Sequence, residues 1–97
     1  MSLVQWGEQL YKSKACITCH SIDGSVKTGP SFQGLFGHTV ELTDGSTVTA
    51  DENYIRQSIL DPGSQVVKGF QPVMPTFAGT LKPQDIDGLI EYIKSLK

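Results

Sequence analysis

The stretch Ala15-Cys16-Ile17-Thr18-Cys19-His20 holds both cysteines of the chain and one of its two histidines. Two thiols three positions apart, with an imidazole directly after the second, suit three chemistries: dithiol exchange, a structural metal, or attachment of a prosthetic group. A dithiol oxidoreductase motif follows a strand and opens a helix within a βαβ pattern. Here a helical pattern precedes the motif and no parallel-strand pattern exists. A structural zinc takes four N or S ligands, commonly as two separated pairs. Beyond Cys16 and Cys19 only His20 and His38 remain, with no second C-x-x-C or H-x-x-x-H, so carboxylates would have to complete the set.

Working outward, 97 residues predict one small domain, 1–97, with one core. A hydrophobic share of 38%, diluted by ten glycines and five prolines, makes that core thin. A chain so built often needs a disulfide, a metal or a cofactor. The net charge of -2, with seven lysines and one arginine scattered along the chain, argues against nucleic acid and against a lipid surface. No apolar run approaches the roughly 20 residues of a membrane span. The opening MSLVQWGEQ lacks a basic region followed by an apolar core and is not a signal peptide. The expectation is that an export signal was replaced by Met1, or that the domain was cut from a longer chain.

Gln5 to about Lys14 reads as a short helix with Trp6, Leu10 and Tyr11 on one side and Gly7 within that face. Residues 21 to 37 are rich in Gly, Ser and Pro and read as loop. In TVELTDGSTVT, Val40 and Leu42 alternate with polar residues and Asp44-Gly45 marks a tight turn, which predicts a hairpin near 40–49. Thr49 and Glu52 have capping-box spacing before a helix carrying Ile55, Ile59 and Leu60, ended by Pro62-Gly63. Residues 61–80 form a long loop with Phe70, Met74, Pro75 and Phe77, apolar enough to be ordered against something. Pro83 opens a last helix in which Ile86, Leu89, Ile90, Ile93 and Leu96 repeat at helical spacing.

The third reading of the motif is covalent haem c. C-x-x-C-H places two sulfurs along one porphyrin edge and carries the adjacent His20 beneath the ring toward iron. Met74 is the one methionine besides Met1, and a soft thioether suits ferrous iron. It lies in the otherwise unexplained loop, with Pro72 and Pro75 stiffening the backbone around it. The plain alternative is a flexible gap-filler in the core. His38 is the rival ligand, with a hydrogen bond to a haem propionate as its other role.

GEQLYKSKACITCHS, TGPSFQGLFGH, ILDP, VMPTFAG and DIDGLIEYIKSL together resemble class I cytochrome c over nearly the whole chain. The resemblance implies an all-α fold of three to four short helices and long loops around one covalent haem, plus the small hairpin. It implies that Cys16 and Cys19 hold the haem and that His20 and Met74 are the axial ligands, with the Pro30 carbonyl accepting from the His20 ring. Gly7 and Tyr11 would cross Leu89 and Tyr92. His38 stands where many members carry an arginine near the propionates, which keeps a donor but makes its charge depend on pH. Tyr54 and Arg56 are further propionate candidates. Leu35, Phe36, Ile59, Leu60, Val67, Phe70 and Phe77 are the candidate haem wall.

The run DGSTVTADENYIRQSILDPGSQVVKGFQPVMPTF is similar to the cytochrome c domain fused to subunit II of caa3-type oxidases. That resemblance implies a one-electron carrier, not an enzyme, delivering to a dinuclear copper centre from a respiratory donor. The alternative is a free-standing or membrane-tethered cytochrome serving another respiratory or dehydrogenase partner. The implied location is the periplasm or outer face of the bacterial cytoplasmic membrane, with a monomer as the isolated state.

Overall fold

Ser2 and Gln5 start the first helix. Ser2 Oγ accepts from the Gln5 amide at 3.1 Å, and Gln5 Oε1 accepts from the Ser2 amide at 2.8 Å. Helix α1 therefore runs Leu3–Ser13, two residues upstream of the apolar period that marks it in the sequence. The computed structural model describes residues 2–14 and 16–97, so the reading of Met1 lies outside the described residues. The cysteine motif forms a one-turn helix, α2 (Cys16–Cys19), which the sequence pattern does not announce. The hairpin pairs β1 (Thr39–Glu41) with antiparallel β2 (Thr47–Thr49), Val40 opposite Val48. Helix α3 spans Glu52–Leu60, a single 3-10 turn occupies Pro62–Ser64, and α4 spans Pro83–Ser95 with Pro83 in its first turn.

Two local expectations are corrected. The cap of α3 is Asp51, whose Oδ1 accepts from the Tyr54 amide at 2.9 Å. Thr49 pairs with Thr39 in the sheet instead. The hairpin turn also has three residues between its last bonded pair, not two. Leu42 donates to Ser46 at 2.8 Å and Gly45 donates back to Leu42 at 3.0 Å, with Gly45 at φ +89°. That is a turn closed by a left-handed glycine, which Asp44-Gly45 also favours.

The centre of the molecule is the crossing of α1 and α4. Gly7 presents no side chain to Gly88, which lets the two backbones meet. Beside the crossing Tyr11, 1% exposed, packs on Tyr92 with ring centroids 5.6 Å apart and on Phe32 at 5.7 Å. Trp6 seals the open end by donating from its indole nitrogen to Asp85 Oδ1 at 2.9 Å, while Asp85 Oδ2 caps α4 by accepting from the Lys82 amide. Leu10, Ile55, Ile59, Ile86, Leu89, Ile90 and Ile93 complete the buried core between α1, α3 and α4. The ion pairs joining α3 to α4, Arg56–Asp87 and Lys94–Glu52, are exposed and add little.

The hairpin buttresses the long loop. Thr43 donates to Val66 and Lys68 donates to Glu41, both at 2.9 Å, around a bridge between Leu42 and Val67. The loop's far end is tied to α3: Phe77 donates to the Ile59 carbonyl at 3.1 Å and Thr76 Oγ1 to the Leu60 carbonyl at 2.6 Å. Met74 thus sits on a short span of chain anchored on both sides. The predominantly helical architecture with long loops and one small sheet is the one expected.

Candidate functional site

Cys16 and Cys19 terminate α2 as half-buried free thiols, and His20 follows directly. Three features hold the His20 ring. Its Nδ1 lies 2.8 Å from the Pro30 carbonyl oxygen. A carbonyl only accepts, so Nδ1 carries the proton and Nε2 keeps its lone pair free. Phe32 stacks on the ring at 4.4 Å between centroids and 16° between planes. The Tyr11 hydroxyl donates to the His20 carbonyl and ties this residue to the helix crossing. Burial pulls the His20 pKa below the ordinary imidazole value, partly opposed by the bond to Pro30, which keeps the ring neutral and able to coordinate.

His20 faces a cleft of two adjoining cavities of about 260 and 100 Å³. Together they reach the range of about 300–1,000 Å³ that small-molecule sites occupy. Cys19, His20, Pro30, Tyr54, Ser58 and Met74 border both cavities. The larger is completed by Cys16, Leu35, Ile59 and Phe77 among others, the smaller by Val67 and Phe70. Both sulfurs of the motif, the imidazole and the Met74 thioether therefore meet around one largely apolar space.

Four candidates from the sequence lie elsewhere. Arg56 turns to Asp87 on α4 at 3.2 Å. Phe36 packs against the core beneath the Lys94 ammonium, 5.0 Å from its ring centroid. Leu60 packs on the core without bordering the cleft. His38 is exposed and borders a neighbouring groove, which shares Pro30 and Leu35 with the larger cavity and Pro30 and Val67 with the smaller.

The competing readings of the cysteines gain nothing from this geometry. Among the described residues no group of three or more His, Cys, Asp or Glu is placed to hold a metal ion. Burial pushes the Cys16 thiol up, the opposite of what a nucleophilic dithiol requires. A c-type haem does fit: paired thiols on one helical turn, an oriented imidazole, a thioether and an apolar cleft.

Gly29 is part of the cradle and was not singled out in the sequence. A Cβ there would lie 2.6 Å from His20 Cε1 and 2.9 Å from Nδ1. Its position directly before Pro30 is the signal that could have found it. Phe32 and Ser58 were also missed, the first as an ordinary core aromatic and the second as an unremarked helical serine. Gly29→Ala is expected to push the imidazole off the Pro30 carbonyl and to cost about 1–3 kcal/mol, the usual range for overpacking. Denaturant unfolding of the haem-loaded protein measures it, and a midpoint equal to wild type would refute it.

The cytochrome c family profile matches residues 4–97. Cytochrome c2 iso-2 of Magnetospirillum molischianum is 34% identical over 92 residues, covering 84% of this chain and 91% of that protein. Cytochrome c oxidase subunit 2 of Alkalihalophilus pseudofirmus is 32% identical over 97 residues, covering 99% of this chain and 26% of the subunit. The solved structure of cytochrome cH from Methylobacterium extorquens superposes with a TM-score of 0.68 at 23% identity, over 95% of this chain and 97% of that one, and so shares the fold. The chain belongs to the cytochrome c family of electron-transfer proteins, not enzymes, which carry a covalently attached haem c, and Cys16, Cys19 and His20 fit its attachment motif.

Proposed function

We propose that the chain is a single-electron carrier in which Cys16 and Cys19 bind haem c through thioethers, with His20 Nε2 and the Met74 sulfur as axial ligands. The observation that carries this is the convergence of Cys19, His20 and Met74 on one apolar cleft, with the second ring nitrogen of His20 already engaged by Pro30. When bound, the haem supplies a ferrous/ferric couple that accepts and releases one electron.

The chain's own residues do the rest. Pro30 and Phe32 fix the imidazole orientation. Ties from Thr76 and Phe77 to α3 hold the backbone that presents Met74. Two protein ligands leave no position open for oxygen or peroxide. Leu35, Ile59, Val67, Phe70 and Phe77 keep water away, and a low dielectric disfavours the extra positive charge of the ferric state. Tyr54, buried at the cleft, is the better placed of the two propionate candidates on α3, since Arg56 is paired with Asp87.

Electrons would enter and leave beside Cys16, Ile17, Thr18, Val67 and Val73. Ile17 and Val73 are 41% and 59% exposed, an apolar landing suited to small, transient redox contacts, with the Lys27 ammonium donating to the Ile17 carbonyl at 3.1 Å beside it. As acceptor we favour the dinuclear copper centre of a caa3-type oxidase, because an oxidase subunit 2 matches 99% of the chain while most of that subunit lies outside the match. A tethered acceptor would need little long-range steering, in keeping with the weak net charge. A free-standing carrier is the second reading, supported by the cytochrome c2 match that spans 91% of its partner. Either reading places the protein in the periplasm or on the outer face of the bacterial cytoplasmic membrane.

The matured protein is expected to show the intact mass of one added haem, a one-electron redox titration, and no carbon monoxide binding to the ferrous form at neutral pH. A colourless matured protein, or ready carbon monoxide binding, would overturn the assignment.

A further inference from the structure

The His20 imidazole lies on the face of the Phe32 ring, 16° from parallel and with centroids 4.4 Å apart. The face of a phenyl ring carries negative potential. A ring lying nearly parallel on that face gains when it becomes positively charged. Phe32 is held for this contact. It is buried, and its amide donates to the Ser21 carbonyl at 2.8 Å. Tyr11 leans on Phe32 at 57° while its hydroxyl holds the His20 carbonyl, so one side chain braces both partners.

The imidazole cannot leave the stack by turning. Its Nδ1 is 2.8 Å from the Pro30 carbonyl oxygen, and Gly29 crowds the ring so closely that a Cβ there would lie 2.6 Å from Cε1. The Gly29 amide donates to the Cys19 carbonyl at 2.8 Å, which keeps that backbone in place.

A ligand shares the charge of its metal. In the function proposed above, Nε2 donates to iron, and ferric iron draws more electron density from the ring than ferrous iron does. The imidazole is therefore more positive in the oxidised state. We infer that Phe32 is a positioning residue that lowers the reduction potential, by stabilising the partial positive charge His20 carries when iron is ferric. This inference rests on His20 being an axial ligand. Phe32 thus opposes the apolar wall, which favours the ferrous state.

A whole cation on a desolvated aromatic face gains roughly thirtyfold in its equilibrium. The imidazole takes only part of the charge of iron. Removing the face is therefore expected to raise the ferrous-to-ferric ratio at a fixed redox poise by about twofold to fivefold. A threefold change corresponds to about 28 mV for one electron. Phe32→Leu removes the ring and keeps apolar bulk. Fluorinated phenylalanines in place of Phe32 keep the ring and drain its face stepwise, a change that packing alone would not register. Across the monofluoro, difluoro and trifluoro side chains, the potential of the haem-loaded protein is expected to climb toward that of Phe32→Leu. A flat or falling series overturns the role of Phe32, even where Phe32→Leu shifts the potential, because the leucine shift then comes from packing.

Ligation is read separately, by nuclear magnetic resonance of the ferric haem-loaded protein with nitrogen-labelled histidine. Nε2 of His20 bound to ferric iron resonates far outside the range of an uncoordinated imidazole, and His38→Ala assigns the signal. With His20 shifted in this way, the fluorinated series decides the role of Phe32 alone. If His20 resonates in the ordinary range, its ligation falls and takes the role of Phe32 with it.

Discussion

Gly7→Ala is expected to melt roughly 15–30 °C below wild type, the equivalent of about 3–5 kcal/mol in a domain of this size. The added Cβ would lie 2.0 Å from the Gly88 carbonyl oxygen, 2.5 Å from its carbon and 2.7 Å from Tyr92 Cβ. Neither obstacle is the free end of a side chain. Relief requires α1 and α4 to move apart, which loosens Tyr11 from Tyr92 and strains the Trp6–Asp85 bond. Alanine's better helix propensity returns only about 1 kcal/mol, so the clash decides the sign. Small domains are stable by about 5–15 kcal/mol, which makes the loss a large fraction of the whole.

Gly88→Ala supplies the internal control. Its Cβ would meet Trp6 Cδ1 at 3.1 Å, the Leu3 carbonyl oxygen at 3.2 Å and the Gly7 nitrogen at 3.3 Å, so the α1 backbone must give by only a few tenths of an ångström, far less than Gly7→Ala demands. Thermal unfolding of both variants, matured with haem, separates them: Gly7→Ala falls far below wild type and Gly88→Ala falls much less. Equal melting temperatures for the two variants would show that the crossing is not set by backbone contact at Gly7. The effect reaches the site through Tyr11, whose hydroxyl holds the His20 carbonyl, so Gly7→Ala should also weaken haem retention.

Much of this was legible in the sequence for physical reasons. Helix α4 declared itself through Pro83 and an apolar repeat long enough to average out local noise. The C-x-x-C-H motif fixes chemistry by covalent spacing, which folding cannot rearrange. The cap of α3 was harder, because Thr49-x-x-Glu52 and Asp51 offer rival starts two residues apart. Pairing of Thr49 with Thr39, a contact ten residues away in sequence, decides between them.

Arg56 could have been placed by geometry alone. Each residue turns a helix by roughly 100°, so Arg56 stands nearly opposite Tyr54, whereas Ser58 returns to the same face. The helical wheel thus joins Tyr54 to Ser58 and removes Arg56 from the cleft. Gly29 and Phe36 were not decidable this way. Each depends on what a distant segment brings: the His20 ring against Gly29, and the Lys94 end of α4 over Phe36.

Met74→Ala is expected to open the iron to carbon monoxide in the ferrous state and to lower the potential by on the order of 100 mV, within the roughly 0.8 V over which axial ligands tune haem. A neutral thioether favours ferrous iron, so its removal shifts the balance toward ferric. His38→Ala is expected to leave the protein closed to carbon monoxide, since His38 borders the adjoining groove and not the cleft that holds His20 and Met74. The contrast turns on where the chain is anchored. Thr76 and Phe77 pin the backbone just after Met74 to the end of α3. The His38 backbone is committed to the hairpin base through Leu35 and Ala50. For His38 to reach the iron those two hydrogen bonds would have to break, whereas Met74 already borders the space. Carbon monoxide binding by His38→Ala, with Met74→Ala remaining closed, would reverse the assignment of the sixth ligand.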